Sequence, residues 1–501
     1  MTDPAIPGEY GVRLGKRARL ADPYPVSYPR THTIAEVRAE HADLPPDTFT
    51  GQTVSVAGRV ILSRTGGKLC FATLRDGSED IQVMISLDRV GAGSQAAWKR
   101  DVDLADHVGV TGEVITSRTG ELSVLASAWA ITAKALRPLP DKHKGLTDPE
   151  AKVRQRYLDL IINPGARALA NARGAVLASL REGLGSRGYL EVETPVLTSL
   201  HGGANARPFV TRGNAYGSRL YLRIALELYL KRLIVGGIEK VYEIGRIFRN
   251  EGVDVTHNPE FTMLEAYAAY ADYDTMAELT RSLVQDAARA VSGSTVITRA
   301  DGEQYDIGGS WRSVTVYAAV SAAAGEDVTP ASTPAQLRAL CARLGVPAEP
   351  DWSHGQVVLE LYERLVEAQT VEPTFYRDFP VDVSPLTRAH RAVAGVAERW
   401  DLVMFGMELG TAYSELTDPV EQRERLTAQS LLAAGGDEEA MELDEDFLRA
   451  LEHGMPPTGG LGMGIDRLLM ALTGASIRDT TLFPFTRPRL GRRAGSMWED
   501  D

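Results

Sequence analysis

Cysteine is nearly absent: Cys70 and Cys341 are the two in 501 residues, far apart and without any CxxC or CxxH spacing. That excludes a cysteine-built zinc site and is the usage of a reducing compartment. No apolar run is long enough to span a bilayer, and no charged-then-apolar leader stands at the N-terminus. The expectation is a cytoplasmic protein with no membrane part. Positive charge is also in short supply. A formal net charge of −13 argues against indiscriminate nucleic-acid binding, but it leaves room for a local basic surface that reads one folded RNA. What is present is enough chain for two or three domains with a sizeable core.

The most informative stretch is 239–273, EKVYEIGRIFRNEGVDVTHNPEFTMLEAYAAYADY. At period two, Glu243, Gly245, Ile247, Arg249 and Glu251 share one face of a strand. After a break at 252–259, Phe261, Met263, Glu265 and Tyr267 share a face again. Two such strands predict a hairpin that presents a guanidinium, carboxylates, an aromatic plate and a phenol together, a site for something with phosphate, a ring and an amine. Charge alternation alone is better described by a salt-bridged solvent face. The string FRNEG followed by HNPEFTMLE resembles motif 2 of the class II aminoacyl-tRNA synthetases, the lysyl-tRNA synthetase form in particular.

The rest of the chain extends that resemblance. Residues 1–31 carry Arg13, Lys16, Arg17 and Arg19 among prolines and read either as a basic arm on an RNA backbone or as a loose tail. A short helix is predicted from Thr33 to Ala42, stopped by Pro45 and Pro46. Between Gln52 and Pro138, five short alternating runs separated by Gly and Asp turns predict a five-stranded barrel. Their order resembles the OB-fold anticodon-binding domain of lysyl-, aspartyl- and asparaginyl-tRNA synthetases. That resemblance implies that Phe71 stacks an anticodon base, with Arg64, Gln82 and Glu121 as polar contacts. Phe71 also follows Leu69 at strand period, which is the pattern of a core residue.

A Pro-rich connector leads to a helix start at Asp148-Pro149, and helical spacing then runs from Leu169 through Leu184 to Gly188. With GYLEVETPVL, the helix resembles motif 1, which implies a homodimer. Gly203 can bring a bare carbonyl to a ligand, and Glu227 opens a helix, where an acid ordinarily complements the dipole. The resemblance gives both to the substrate's α-amino group. Residues 274–380 read as helices and an insertion with no nameable chemistry. In WDLVMFGMELGTAYSEL, a strand, turn and strand place Glu408 and Glu415 seven residues apart, a carboxylate pair of the kind magnesium shares with phosphate. GGLGMGIDR sets glycines before a helix with Arg467 near its start; this and the LFPFTRP that follows resemble motif 3 and the usual family end.

The resemblance covers roughly residues 50–490 and implies an α+β protein, an antiparallel sheet flanked by helices behind an N-terminal OB barrel. The implied domains are an extension (1–50), the anticodon-binding barrel (51–140), a linker (141–165), the catalytic domain (166–490) and a tail (491–501). It further implies lysine activation by ATP and Mg²⁺ and transfer to tRNA-Lys. In that scheme Arg249, Glu251 and Arg467 are catalytic, and Arg249, Glu251, His257, Asn258, Phe261, Glu408 and Arg467 hold ATP, with adenine between Phe261 and Arg467. Gly203, Glu227, Arg249, Glu265, Tyr267, Thr411, Tyr413 and Glu415 hold lysine, and Asp401, Glu408 and Glu415 hold metal. Four positions depart from the family pattern: Thr256 for Arg, Thr411 for Asn, Tyr413 for Phe and Asp401 for Glu. The same region resembles the synthetase half of actinobacterial lysyl-phosphatidylglycerol synthase fusions. A dedicated or second-copy enzyme and an inactive RNA-binding paralogue are the alternatives to a housekeeping ligase.

Overall fold

The computed structural model describes residues 7–140, 146–254, 257–299, 302–435 and 439–486, and the elements named here lie within them. Thr256, Arg487 onward and the expected tail at 491–501 fall outside the described residues. The chain divides into two compact units, Met1–Thr147 and Asp148–Asp501.

In the first unit, α1 (Pro7–Arg19) and α2 (Ile34–Glu40) precede the strands β1 (Phe49–Thr65), β2 (Leu69–Arg75), β3 (Asp80–Ser86), β4 (His107–Thr116) and β5 (Leu122–Ala133). The strands close into a barrel in the order β1-β2-β3-β5-β4. Alternation sets its interior: Cys70, Ala72 and Leu74 of β2 and Ile81, Val83 and Ile85 of β3 are fully buried. Helix α2 is capped by Thr33 in a capping box with Glu36, and its Ile34 and Val37 join that core.

The N-terminal basic segment is neither an arm nor a loose tail. It forms α1, where Arg13 is buried and donates to the carbonyls of Leu104 and Ala135, and Lys16 pairs with Asp103 at 2.6 Å. A guanidinium committed to buried carbonyls is withdrawn from any RNA backbone.

The second unit begins with α3 (Pro149–Arg154), capped by Asp148, and α4 (Arg156–Ile162). Both lie in the segment expected as linker. Arg156 is buried there, paired with Asp159 at 2.8 Å and donating to the carbonyls of Arg478 and Leu482. There follow α5 (Pro164–Gly185), β6 (Leu190–Glu191), α6 (Glu227–Val235), β7 (Lys240–Phe248), β8 (Glu260–Ala269), α7 (Tyr273–Ser292), β9 (Arg312–Thr315), α8 (His354–Leu365), β10 (Thr374–Pro380), β11 (Val396–Met404), β12 (Met407–Ser414), β13 (Thr458–Gly464) and α9 (Ile465–Thr473).

Eight of these described strands form one sheet in the order β9-β10-β11-β12-β13-β8-β7-β6, antiparallel except for the parallel edge pairs β9/β10 and β7/β6. Val176, Leu180 and Leu184 of α5 pack with Leu283 and Val284 of α7, Leu468 of α9 and Trp400 of the sheet in one core. Burying each such side chain contributes roughly 1.5–3 kcal/mol. Leu226 and Leu230 of α6, with Val241, Ile247 and Tyr267, form another core. No helix among the described residues is long and apolar enough to cross a membrane.

Candidate active site

The central strands β8, β13 and β12 form the floor of a cavity of about 410 Å³. Register aligns the side chains in rows: Glu265 lies opposite Gly462, which lies opposite Thr411, and Tyr267 lies opposite Gly460, which lies opposite Tyr413. The glycines keep those rows open. A Cβ at Gly460 would overlap Glu415 Oε1 and the Tyr267 ring, so this position makes room for an acid and a phenol. Gly203, at φ +86°, also lines the cavity, and a Cβ there would press on Ala225 and Glu227.

One end of the cavity is acidic and dry. Glu227, Glu265 and Glu415 are at most 5% exposed. Glu265 accepts the Leu226 N–H at 2.9 Å and the Tyr267 hydroxyl at 3.1 Å. Burial, followed by the charge of Glu227, pushes the Glu265 carboxyl up to about 7 despite those donors and Arg249. Lys231, one turn after Glu227 on α6, is fully buried, 2.5 Å from Glu227 Oε1 and ion-paired with Glu415 Oε2. Burial opposes its charge, but the two carboxylates more than offset this and hold the ammonium above the usual lysine range. Burial pushes Glu415 up to about 8 even with Lys231 beside it, because Glu227 and Glu265 repel its charge.

The other end is cationic and more open. Arg249 follows β7 directly, and Glu251 stands in the loop beyond, so neither lies on the strand face expected for it. The backbone of Arg249 still pairs across to Pro259, and its half-buried guanidinium sits 5.3 Å from the Phe261 ring centroid. Burial weakens its hold on the proton, which the charges of Glu251, Glu408 and Glu265 oppose. Arg467, on the first turn of α9, donates to the Glu408 carbonyl at 2.9 Å and lies 3.4 Å from His257 Nε2. Phe261 thus has Arg249 beside its ring. Asn258 is buried and donates to the Glu260 carbonyl.

Of the expected metal set, Asp401 and Glu408 are near enough that burial and the charge of Glu408 push Asp401 up, whereas Glu415 stands with other groups. Glu415 belongs to the acidic end, paired with Lys231, while Glu408 lies by Arg467 at 3.7 Å. Asp401 is held by Arg399 through two hydrogen bonds of 3.0 and 2.8 Å, and Thr411 donates to the Trp400 carbonyl. Among the described residues no three acidic, histidine or cysteine side chains converge as a metal site. Glu367 is the acid that joins Glu408: it accepts the Glu408 N–H at 3.3 Å. Burial and the charges of Glu408, Asp401 and Glu363 push it up to about 7. An acid crowded by other acids beside a cavity suits a hard cation that phosphate oxygens also ligate.

Three residues were not singled out in the sequence. Lys231 stands four residues after Glu227 on a predicted helix, a spacing that pairs side chains. Arg399 stands two before Asp401 on one strand face. Glu367, forty-one residues from Glu408, carries no local signal.

In the barrel, Phe71 is half-buried on the outer face, while its neighbours Cys70 and Ala72 point inward. Arg64 and Met84 flank it across the ladder, and Gln82 lies opposite Thr73 on the same face. Gln82 donates to Ser123 Oγ, which donates to the Glu121 carbonyl; the Glu121 side chain is exposed.

Comparison with known proteins agrees with this architecture. Residues 148–487 match the model of tRNA synthetases class II (D, K and N), and residues 54–132 match the OB-fold nucleic acid binding domain. The chain is 56% identical over 494 residues to the protein named Lysine--tRNA ligase of Mycobacterium bovis (strain BCG / Pasteur 1173P2), covering 96% of this chain and 98% of that one. It is 55% identical over 490 residues to the protein of the same name from Kineococcus radiotolerans, covering 97% and 98%. It is 59% identical over 494 residues to the Lysylphosphatidylglycerol biosynthesis bifunctional protein LysX of Nocardia farcinica, covering 97% of this chain but 43% of that one. With its sheet, its barrel and more than half its length matched, the chain belongs to the class II tRNA synthetases of the D, K and N group.

Proposed function

We propose that the protein is a lysine–tRNA ligase that joins lysine to ATP as lysyl-adenylate and passes the lysyl group to tRNA-Lys. The observation that carries this reading is the dry pocket of Glu227, Glu265 and Glu415 at one end of a cavity whose other end holds Arg249 and Arg467. A ligand with ammonium groups at one end and phosphate at the other matches that polarity. Near-full-length relatives that bear the name of this activity support it.

The lysine carboxylate is ionised near neutral pH, so its attack on the α-phosphorus needs alignment and charge neutralisation rather than a general base. In this reading Arg249 holds the α-phosphate and the incoming carboxylate, and Arg467 and His257 hold the outer phosphates. Phe261 takes a face of adenine. Mg²⁺, when bound, neutralises phosphate charge. Glu408 and Glu367 would hold it, and Asp401 would act only at second hand through Arg399. Glu227 and the Gly203 carbonyl take the α-ammonium, and Glu415, with Glu265 and Tyr267, takes the ε-ammonium. Tyr413 closes the wall, and Thr411 contributes packing more than a polar contact. The terminal tRNA hydroxyl then attacks the mixed anhydride.

The barrel, 51–140, would read the anticodon through Phe71, with Arg64, Gln82 and Glu121 around it, and 166–490 would carry the chemistry. A homodimer working in the cytoplasm completes the proposal. The test is lysine-dependent exchange of pyrophosphate into ATP together with charging of tRNA-Lys; absence of both rejects it. A role supplying lysyl-tRNA to lipid modification, favoured by the LysX relative, predicts the same chemistry in vitro. It differs in leaving growth intact and the lysylated lipid depleted when the gene is removed.

A further inference from the structure

The acidic end of the cavity already contains a lysine, and it belongs to the protein. Lys231 is fully buried, and among the described residues its ammonium pairs with Glu227 Oε1 at 2.5 Å and with Glu415 Oε2. Both Glu415 oxygens are buried without a hydrogen-bond donor; Oε2 has the Lys231 ammonium beside it, whereas Oε1 has the room that the missing side chain of Gly460 gives. Glu265 has both oxygens engaged, by Leu226 and Tyr267. Three buried carboxyls share one internal ammonium, so further ammonium groups can draw all three into the ionised form. A dibasic amino acid brings two ammonium groups.

We propose that Lys231 is a specificity-determining positioning residue: by pairing with one oxygen each of Glu227 and Glu415, it leaves Glu415 Oε1 to the ligand's side-chain ammonium. The inference rests on the lysine-activating reading above and deepens it. Without Lys231, Glu227 and Glu415 would face each other as buried like charges, with Glu265 and Tyr267 close by and Arg249 beyond them. These acids would then hold their protons more tightly. A neutral carboxyl meets an ammonium poorly and an apolar chain end better, so recognition of the ε-ammonium would weaken. An ion pair that merely tied α6 to the sheet would affect folding and not the choice of ligand.

The test is Lys231→Met, which keeps the chain length and removes the charge, in lysine-dependent pyrophosphate exchange beside a thermal melt. The lysine KM should rise about tenfold or more, as one pKa unit between competing protonation states implies. The kcat at saturating lysine and the KM for ATP should stay within about threefold, the pattern of lost ground-state binding. Preference for lysine over 2-aminohexanoate, the same chain ending in a methyl group, should fall by a similar factor. A folded variant with an unchanged or lowered lysine KM overturns the proposal, as does a fall in kcat alone. Should Lys231→Met not fold, Lys231→Gln is read in the same way; failure of both to fold marks a purely structural ion pair and also overturns it. Absence of lysine-dependent exchange in the wild-type protein overturns the ligase reading itself. Normal wild-type exchange beside an unshifted Lys231→Met overturns this inference alone.

Discussion

The guanidinium carbon of Arg249 lies 5.3 Å from the centroid of the Phe261 ring. Arg249 leaves the end of β7 just past Ile247, whose partner across the ladder is Phe261. Such a contact contributes about 0.5–2 kcal/mol. It orients the cation before any substrate arrives, so the phosphate meets a charge that is already placed.

Replacing Arg249 by Ala should therefore leave the fold intact and cut adenylate formation by on the order of 10²-fold or more, the usual cost of losing a preorganised electrostatic donor. Pyrophosphate exchange checks this. Near-normal exchange would remove Arg249 from the reaction.

Glu415→Gln keeps shape and removes charge. Lysine binding should weaken by roughly 2–4 kcal/mol, because a desolvated ammonium loses its counter-ion, while ATP binding changes little. If Glu415 were chiefly a metal ligand the order would reverse. Titration calorimetry with lysine, and separately with Mg²⁺-ATP, distinguishes the two.

Lysine affinity should rise as pH increases from about 6 to 8. In the free pocket, burial and neighbouring charge push Glu265 to about 7 and Glu415 to about 8, so part of the population holds protons at neutral pH. Ammonium groups bound beside these acids favour the ionised forms, and binding must expel those protons. The bound state thus carries fewer protons than the free one, which is the sign that makes rising pH favour binding. Calorimetry at pH 7 in buffers of different ionisation enthalpy should show proton release, and its absence would contradict the raised values.

Phe71→Ala should weaken tRNA charging by about 1–3 kcal/mol, the range for loss of one base-stacking partner. Adenylate formation and the melting temperature should barely change, since Phe71 lies on the outer face, outside the barrel core. A clear fall in melting temperature with normal charging per folded molecule would return Phe71 to a packing role.

Local pattern was enough for much of this protein. Five alternating runs became the five barrel strands, Asp148-Pro149 opened a helix, and WDLVMFGMELGTAYSEL formed two paired strands, because period-two burial and capping act over a few residues. Motif order located the family and most of the cavity lining. What local pattern could not decide was which charged groups meet. Glu408 and Glu415 are seven residues apart in one string, yet one lies by Arg467 and the other by Lys231, since the chain leaves β12 between them. Arg13 and Lys16 read as a basic arm or a loose tail until the fold supplied carbonyls and Asp103. Lys231 met Glu415, and Glu367 met Glu408, only through the fold. Charge pairing in a dry interior depends on distances of a few ångströms between segments remote in the chain, and only tertiary packing sets those distances.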